Sequence, residues 1–177
     1  MIKKLLFILA FVAFVGTSHA QSFMIGPQLG YYAPKEEGAD GSILFGGAAR
    51  LKLGSLGVEA AINYRQQKEE IYGSELKTSF YPVMVSGLLY PLPILYATAG
   101  IGWYNYKVTL ESSYGDMSET GSEIGYHLGG GVEIPLGNMV LSGDIKYVFM
   151  KYQFENSNTD YNADGFVINA TVFFKLN

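Results

Sequence analysis

The sequence has no cysteine and few charged residues, and each shortage excludes a class of protein. Without cysteine the chain forms neither a disulfide scaffold nor a lipoprotein anchor. Charged residues make up 16% of the chain, against about 25% in soluble domains. After residue 15 no apolar run approaches the roughly 20 residues of a membrane helix. The chain is rich instead in glycine, with 22 residues, and in aromatic residues, at 15%, which favours β-structure that does not face water everywhere.

The first twenty residues have the three parts of a secretory signal peptide. Lys3 and Lys4 form a basic start, residues 5–15 are apolar, and Ser-His-Ala at 18–20 offers small residues for cleavage. We expect cleavage after Ala20, which leaves one domain over residues 21–177 with ten basic and sixteen acidic residues. This negative balance argues against nucleic acid as a partner. The alternative is a retained N-terminal anchor, but the apolar run is short for a membrane helix.

Long polar stretches alternate with short turns along the remaining chain. The long stretches are residues 35–42, 68–75, 111–119 and 154–163, and the short turns are 54–55, 91–93 and 136–137. They separate eight segments in which side-chain character alternates with the period of two that a strand requires. Long external loops and short periplasmic turns are typical of outer-membrane barrels. The sequence therefore predicts an all-β fold, an eight-stranded antiparallel up-and-down transmembrane β-barrel.

The positions of the acidic residues distinguish a membrane barrel from a soluble one. Thirteen of the sixteen lie in or beside the long stretches, and only Glu59, Glu133 and Asp144 lie within strands. The alternative, a periplasmic lipocalin-like barrel with an apolar interior, requires charge along its outward face. The strands offer almost none there, so we favour the membrane barrel.

The predicted hairpins bring aromatic residues together at their loop ends. With the turn at 54–55, Phe45 faces Tyr64. The other two hairpins give the pairs Tyr81–Trp103 and Tyr126–Tyr147. Aromatic residues form girdles at both edges of the membrane in outer-membrane barrels. We assign the external girdle to nine residues: Tyr31, Phe45, Tyr64, Tyr81, Trp103, Tyr126, Tyr147, Phe149 and Phe166.

The opposite strand faces point into the barrel, whose interior at eight strands is just wide enough for side chains to fill. Buried charges are costly unless they are paired, so the inward charged residues should form a network. Its predicted members are Arg50, Lys52, Glu59, Arg65, His127, Glu133, Asp144 and Lys146, with Lys175 near the chain end. The first hairpin places Arg50 directly opposite Glu59. We expect a polar core without an open pore; the alternative is a pore gated by rearrangement of these pairs.

Three stretches resemble a known family. GPQLGYYAP at 26–34, YATAGIG at 96–102 and the alternating last strand are similar to the OmpA/OmpX-type outer-membrane β-barrel domain family, over essentially all of residues 21–177. The resemblance implies a monomer in a Gram-negative outer membrane, without a cofactor. Its implied partners are outer-membrane lipids, lipopolysaccharide, periplasmic chaperones and the barrel-insertion machinery. Such chains commonly end on an aromatic residue, whereas Lys175, Leu176 and Asn177 follow Phe174 here. No second domain is expected.

Some barrels of this kind modify lipid A, and the residues argue against that activity here. The deacylases use a His-x-Ser pair, whereas His127, the one histidine after residue 20, precedes Leu128 and Gly129. The acyltransferases need a histidine near the outer loops. We therefore expect no catalytic residue. The glycines at 129–131 lie inside a strand, so we expect them to permit curvature rather than to bind phosphate.

The stretch Asp160-x-Asn162-x-Asp164-Gly165 matches the first half of a calcium-binding loop. Thr171 occupies the position of the required bidentate glutamate, and a strand follows instead of a helix. These three residues are a weak calcium candidate, and we expect no metal site.

Two functions agree with these observations. The first is a structural, envelope-stabilising or surface-interaction protein without an open pore. The alternative is a transporter of small apolar molecules, which requires an apolar upper cavity that Tyr104, Tyr106 and Val148 could line.

We predict that the mature protein begins at Gln21 and fractionates with outer membranes. The signal has all three parts, and no later segment is apolar enough to form a membrane helix that would anchor the chain elsewhere. Mass spectrometry of the purified protein gives the N-terminus. Uncleaved protein, or recovery in the soluble periplasmic fraction, would contradict the prediction.

Overall fold

The computed structural model describes residues 21–35, 41–71, 74–111, 117–152, 161–162 and 164–176. The predicted signal peptide lies outside these residues and stays a prediction. Among the described residues, no helix is long and apolar enough to cross a membrane. The strands are β1 (Gln21–Pro34), β2 (Ser42–Leu53), β3 (Leu56–Ile71), β4 (Ser74–Leu92), β5 (Leu95–Glu111), β6 (Met117–Leu136), β7 (Met139–Tyr152), β8 (Tyr161–Asn162) and β9 (Gly165–Lys175).

Eight of these strands form a closed antiparallel barrel. Each of β1 to β7 pairs with the next strand in the chain, and β9 closes the ring by pairing with both β7 and β1. The two-residue β8 pairs with the outer end of β7. Closure leaves no sheet edge within the ring, which hydrocarbon requires because it offers no partner for an unpaired backbone group. The predicted eight-stranded fold is confirmed.

The first hairpin has the predicted turn and register. Gly54 begins a two-residue turn with a φ of 61°, a left-handed conformation that glycine adopts without a steric penalty. Phe45 lies opposite Tyr64 and Arg50 opposite Glu59.

The predicted registers of the other two aromatic hairpins are wrong by two residues. Trp103 pairs with Val83, and Tyr126 pairs with Phe149. The turns lie at 93–94 and 137–138, not at the predicted 91–93 and 136–137. Residues 91 and 92 continue β4 past an irregularity in its pairing with β5, and Gly137, with a φ of 66°, occupies the first turn position. A shift of two residues leaves every side chain on its predicted face.

Two stretches that we predicted as long loops contain strand residues wherever the structure describes them. β3 continues to Ile71 and β4 begins at Ser74, so only residues 72–73 separate them; β5 and β6 likewise extend to Glu111 and from Met117. These polar stretches lie beyond the aromatic girdle, where a strand needs no apolar face, and period-two hydrophobicity therefore could not reveal them. The other two predicted loops contain residues 36–40, 154–160 and 163, which lie outside the described residues.

The barrel wall is apolar outside and polar inside. Large apolar side chains on its outer face are strongly exposed, as at Leu29 (59%) and Ile62 (58%). From the girdle to the turns at 54–55, 93–94 and 137–138, the outward positions carry no charged residue, and neither do the turns themselves. A soluble barrel cannot expose such a surface to water. The lipocalin-like alternative is therefore excluded.

Glycine inside the wall makes room for an aromatic ring. Gly131 of β6 is directly opposite Tyr96 of β5. A Cβ atom at Gly131 would lie 2.5 Å from the Tyr96 hydroxyl and 2.6 Å from the carbonyl oxygen of Gly143. We predicted that the glycines at 129–131 permit curvature. At Gly131 the role is more specific, because the Tyr96 ring occupies the space where a side chain would lie.

We predict that Gly131→Ala destabilises the barrel by about 1–3 kcal/mol, because the added methyl group has to displace both the tyrosine ring and a strand. Denaturation in detergent, followed by the gel shift between folded and heated protein, measures the change. Gly143→Ala is the matched control, since its Cβ would meet nothing closer than 3.8 Å. Equal stability of the two variants would contradict the packing described for Tyr96.

Candidate functional site

The inward charged side chains meet in the lower half of the lumen, towards the short turns. Period-two alternation directs residues of β2, β3, β6 and β7 to the axis, where Arg50 is fully buried and Glu59 is 2% exposed. Glu133, Asp144 and Lys146 are also buried, whereas the side chain of Lys52 remains 21% exposed near the periplasmic end.

Arg50 is the centre of this network. Its Nε and Nη2 atoms donate to Oε2 of Glu59 at 2.9 and 2.5 Å, and its Nη1 donates to Oε2 of Glu133 at 3.0 Å. The guanidinium lies 4.6 Å from the ring centroids of both Tyr96 and Phe173. The paired carboxylates and aromatic faces replace the water that a buried cation loses.

Two lysines complete the pairing. Lys146 donates to Oε1 of Glu59 at 3.0 Å and lies 3.6 Å from Asp144, while Lys52 binds Glu133. Three cations therefore meet three anions, and these six groups balance in charge. A balanced set of ion pairs at the axis fills the lumen with side chains, as expected for an eight-stranded barrel.

Tyrosines that sequence reasoning missed belong to the same network. Tyr90 donates to Oε2 of Glu133 at 3.0 Å, and Tyr96 donates to Asp144 at 3.3 Å. Asn169 donates to the other oxygen of Asp144 at 2.8 Å. Strand parity could have found both tyrosines, because Tyr90 shares the inward face of Ser86 and Tyr96 that of Thr98.

His127 is inward and buried, but its hydrogen bond joins it to a serine rather than to a charged group. Its Nε2 lies 2.8 Å from Oγ of Ser86, across Gly100, and its Nδ1 has no hydrogen-bond partner among the described residues. The His-x-Ser spacing is absent from the sequence, yet the fold supplies a serine from another strand. Both side chains are at most 2% exposed, so this arrangement offers no access to a lipid substrate.

Arg65 does not join the lower network. Its guanidinium carbon lies 4.4 Å from the Tyr32 ring centroid and 3.9 Å from that of Phe80, and Nη1 donates to Ser42 at 2.9 Å. Lys175 is also separate, because its Nζ donates to the turn carbonyl of Gly137. These two residues lie near opposite ends of the barrel, apart from the six ion-paired groups of the lower lumen.

A second inward polar group, also missed from the sequence, is uncharged. Asn63 donates to Gln28 at 3.0 Å, and Gln28 donates to Thr171 at 2.9 Å. These side chains join β3, β1 and β9 through the interior. Alternation places these side chains on the inner face, but nothing else in the sequence indicates that they form a group.

The upper lumen, towards the girdle, is filled by apolar side chains. The cluster comprises Tyr32, Leu44, Tyr104, Val148, Met150 and Val167. Five of these residues, together with Arg65, Phe80, Pro82 and Met84, line a cavity of about 20 Å³, enough for about one water molecule. Of the three residues predicted to line an apolar cavity, Tyr104 and Val148 belong to the cluster, and Tyr106 lies near Phe80 with ring centroids 6.5 Å apart.

All nine predicted girdle residues lie on the outer face. Seven are exposed: Tyr31, Phe45, Tyr81, Trp103, Tyr126, Phe149 and Phe166. Tyr64 and Tyr147 are half-buried between neighbouring rings, with centroids 5.1 Å from Phe45 and 4.9 Å from Phe166 respectively. The outer face thus carries an aromatic side chain on every barrel strand, at the boundary where a membrane interface would lie.

The calcium candidate does not form a described site. Asp160 and the Asn162 side chain lie outside the described part of the chain, and the Asp164 carboxylate accepts hydrogen bonds from the Tyr147 hydroxyl at 3.0 Å and the Met150 N–H at 3.2 Å. Within the described residues, no group of three or more acidic, histidine or cysteine residues could hold a metal ion. Asp164 instead joins the residue before β9 to β7 through these two hydrogen bonds.

Comparison with known proteins agrees with this geometry. The model of the family described as outer membrane protein beta-barrel domain matches residues 5–174. The chain belongs to this family. The resemblance to OmpA/OmpX-type barrels is thereby confirmed, and the chain is an outer-membrane barrel protein. A search of curated proteins finds no significant match.

Solved structures of small outer-membrane barrels share the fold. A major outer membrane protein from Thermus thermophilus aligns with a TM-score of 0.64 and 13% identity, covering 89% of this chain and 100% of that chain. Ail, the attachment invasion locus protein of Yersinia pestis, solved with the heparin analogue sucrose octasulfate, gives 0.60 and 14%, covering 88% and 97%. OprG from Pseudomonas aeruginosa gives 0.56 and 13%, covering 92% and 99%. Identities this low establish a common fold alone.

We predict strong coupling between Arg50 and Glu59. Each single alanine variant leaves the lumen with one unbalanced buried charge and should cost about 3–5 kcal/mol. The double variant leaves the balanced pairs Lys146–Asp144 and Lys52–Glu133, so it should cost about 2 kcal/mol less than the sum of the singles.

Equilibrium unfolding of the four proteins in detergent measures this double-mutant cycle. The control combines Glu59→Ala with Lys175→Ala, whose lysine bonds only a turn carbonyl among its described contacts, and its costs should add within about 0.5 kcal/mol. Strict additivity of Arg50→Ala and Glu59→Ala would contradict the pairing.

Proposed function

We propose that this protein is a closed outer-membrane barrel that acts as a surface-interaction protein through a β-sheet that projects outside the cell. The observation that carries the proposal is the length of four strands. β3 and β4 extend seven residues beyond their girdle residues Tyr64 and Tyr81, and β5 and β6 extend somewhat further. Seven residues span roughly 23 Å along a strand.

The projecting sheet has two outer edges. Among the described residues, the pairing of β2 with β3 reaches Tyr64, and the pairing of β7 with β6 begins at Gly125. In the part of the chain that the structure describes, residues 66–71 of β3 and 117–124 of β6 therefore pair on one side only. An edge strand presents N–H and C=O groups that can add a strand from another protein.

The filled lumen supports an interaction role over a pore. The six ion-paired groups balance in charge and are held by tyrosines from β4 and β5. Moving ions through the barrel would require breaking several buried pairs at once, each of which is costly to leave unpaired.

A second candidate function is transfer of small apolar molecules. Pro82 of β4 lines the apolar upper lumen, and the β3–β4 pairing is interrupted beside it, between Ile62 and Arg65. Proline has no N–H to donate to the ladder, so fewer backbone hydrogen bonds join β3 and β4 at this level. Entry would still require the cavity of about 20 Å³ to enlarge.

Removal of the projecting sheet tests the proposal. Residues 67–78 and 107–120 are each replaced by Asn-Gly, which keeps the registers Gln66–Ser79 and Tyr106–Gly121 and closes both hairpins near the girdle. The shortened protein should still shift on a gel when heated. Cells displaying it should lose the attachment to protein-coated surfaces that the full-length protein confers.

Lys175→Ala is the matched control, because it removes a charged side chain that bonds a turn carbonyl near the periplasmic end and leaves the sheet intact. Its attachment should equal that of the full-length protein. Equal attachment of cells with and without the sheet would overturn the proposal. Uptake of an apolar tracer that depends on Pro82 would favour the second candidate.

A further inference from the structure

The turns at 54–55, 93–94 and 137–138, with the strand ends beside them, form a surface that we call the turn end. Large apolar side chains on this surface are more than half exposed: Leu56, Leu92, Ile94 and Leu136. The outward wall positions that lead to it and the turns themselves carry no charged residue. The apolar outer face of the wall therefore continues onto the turn end, which would face water if it projected into the periplasm.

The backbone of the turn end forms hydrogen bonds that water would not require. In each turn, the carbonyl oxygen of the second residue accepts a hydrogen bond from the backbone N–H of a neighbouring strand. The pairs are Ser55 with Tyr90 at 2.8 Å, Ile94 with Glu133 at 2.8 Å and Asn138 with Lys175 at 2.9 Å. Hydrocarbon offers no partner to a carbonyl group, so a turn immersed in it needs such internal donors.

Two lysines bond further turn carbonyls from inside the barrel. Nζ of Lys52 donates to the carbonyl of Pro93 at 3.3 Å, and Nζ of Lys175 donates to that of Gly137 at 3.0 Å. With the three backbone bonds, five of the six turn carbonyls have a donor among the described residues. Pro93 also has no N–H that would need an acceptor. The polar backbone groups of the turns are thus largely satisfied within the protein.

The height of the apolar band gives the level of the turn end in the membrane. Nine residues separate Phe45 from Gly54, and nine separate Trp103 from Ile94. At about 3.3 Å per residue and a tilt of about 35–45°, nine residues rise roughly 21–24 Å along the membrane normal. The apolar band of outer-membrane barrels is about 25 Å tall. With the aromatic girdle at the external interface, the turns therefore reach the opposite hydrocarbon boundary without passing beyond it.

We propose that the turn end is embedded in the periplasmic leaflet of the membrane, where Ile94 and its apolar neighbours contact phospholipid acyl chains. Continuity determines the occupant, because this surface extends a wall that already faces hydrocarbon. A periplasmic protein is the alternative occupant. A turn end at the hydrocarbon boundary draws the headgroups of that leaflet towards it, so the leaflet is thinner beside the barrel. The inference concerns the end opposite the projecting sheet and does not depend on the proposed function.

Spin labels on single cysteines measure this immersion, since the chain has no cysteine of its own. Ile94→Cys places the label at the second turn, Ile145→Cys in the wall and Ser118→Cys on β6 beyond the girdle. The purified protein is reconstituted in phosphatidylcholine bilayers. For each label, the collision rate with oxygen, which concentrates in hydrocarbon, is divided by the rate with a water-soluble nickel chelate. The ratio at residue 94 should approach that at residue 145 and exceed that at residue 118 several-fold.

Bilayer thickness distinguishes native immersion from burial that the label itself causes. Each labelled protein must shift on a gel when heated, and Asn138→Cys repeats the measurement at a polar position of the third turn. The ratios at residues 94 and 138 should be lower in bilayers of fourteen-carbon chains than in bilayers of twenty-two-carbon chains, whereas the ratio at residue 145 should change less. A ratio at residue 94 that does not vary with thickness would contradict the proposal. Water-like ratios at both turns in the thickest bilayer would overturn it and leave the turn end free to bind a periplasmic protein.

Discussion

Closure of the backbone ladder is the constraint on which the rest of this structure depends. Hydrocarbon offers no hydrogen-bond partner, so the pairing of β9 with both β1 and β7 is required for the other strands to exist in a membrane. A ring of eight strands has a narrow interior, and the inward side chains consequently meet at the axis. Charges there must be paired, which explains why Arg50 contacts two carboxylates and two aromatic rings at once.

The sequence was sufficient for the strand number, the face of each residue and the Arg50–Glu59 pair, because side-chain alternation and a Gly-led turn determine them locally. It was insufficient where a local irregularity or the size of one side chain, rather than the alternation of polar and apolar residues, determines the structure. The continuation of β4 past Leu89 displaced the second hairpin register. Parity places Tyr90 and Tyr96 inward, but alternation does not report the space that Gly57 and Gly131 leave for their rings. The strands beyond the girdle face water on both sides, so their sequence does not alternate between apolar and polar residues.

The interior has two layers with different physical properties. The lower layer is a balanced set of ion pairs, and the upper layer is an apolar cluster beside the interrupted pairing at Pro82. Separation of the layers means that a change in one need not alter the other. The lower pairs resist rearrangement because several must break together, whereas the upper cluster is held by non-directional apolar contacts, and so the upper wall is the more adaptable part of the barrel.

The absence of charge at the turns 54–55, 93–94 and 137–138 has a consequence for biogenesis. During insertion, the segments between successive girdle residues, at 32–44, 65–80, 104–125 and 150–165, have to cross the membrane, and their sequence holds nineteen charged residues, while the end whose turns carry no charge stays behind. Charges are expensive in hydrocarbon, so withdrawal of the inserted protein meets the same barrier in reverse. The asymmetry of the two ends thus makes the orientation of the barrel a kinetically trapped property, fixed once at assembly.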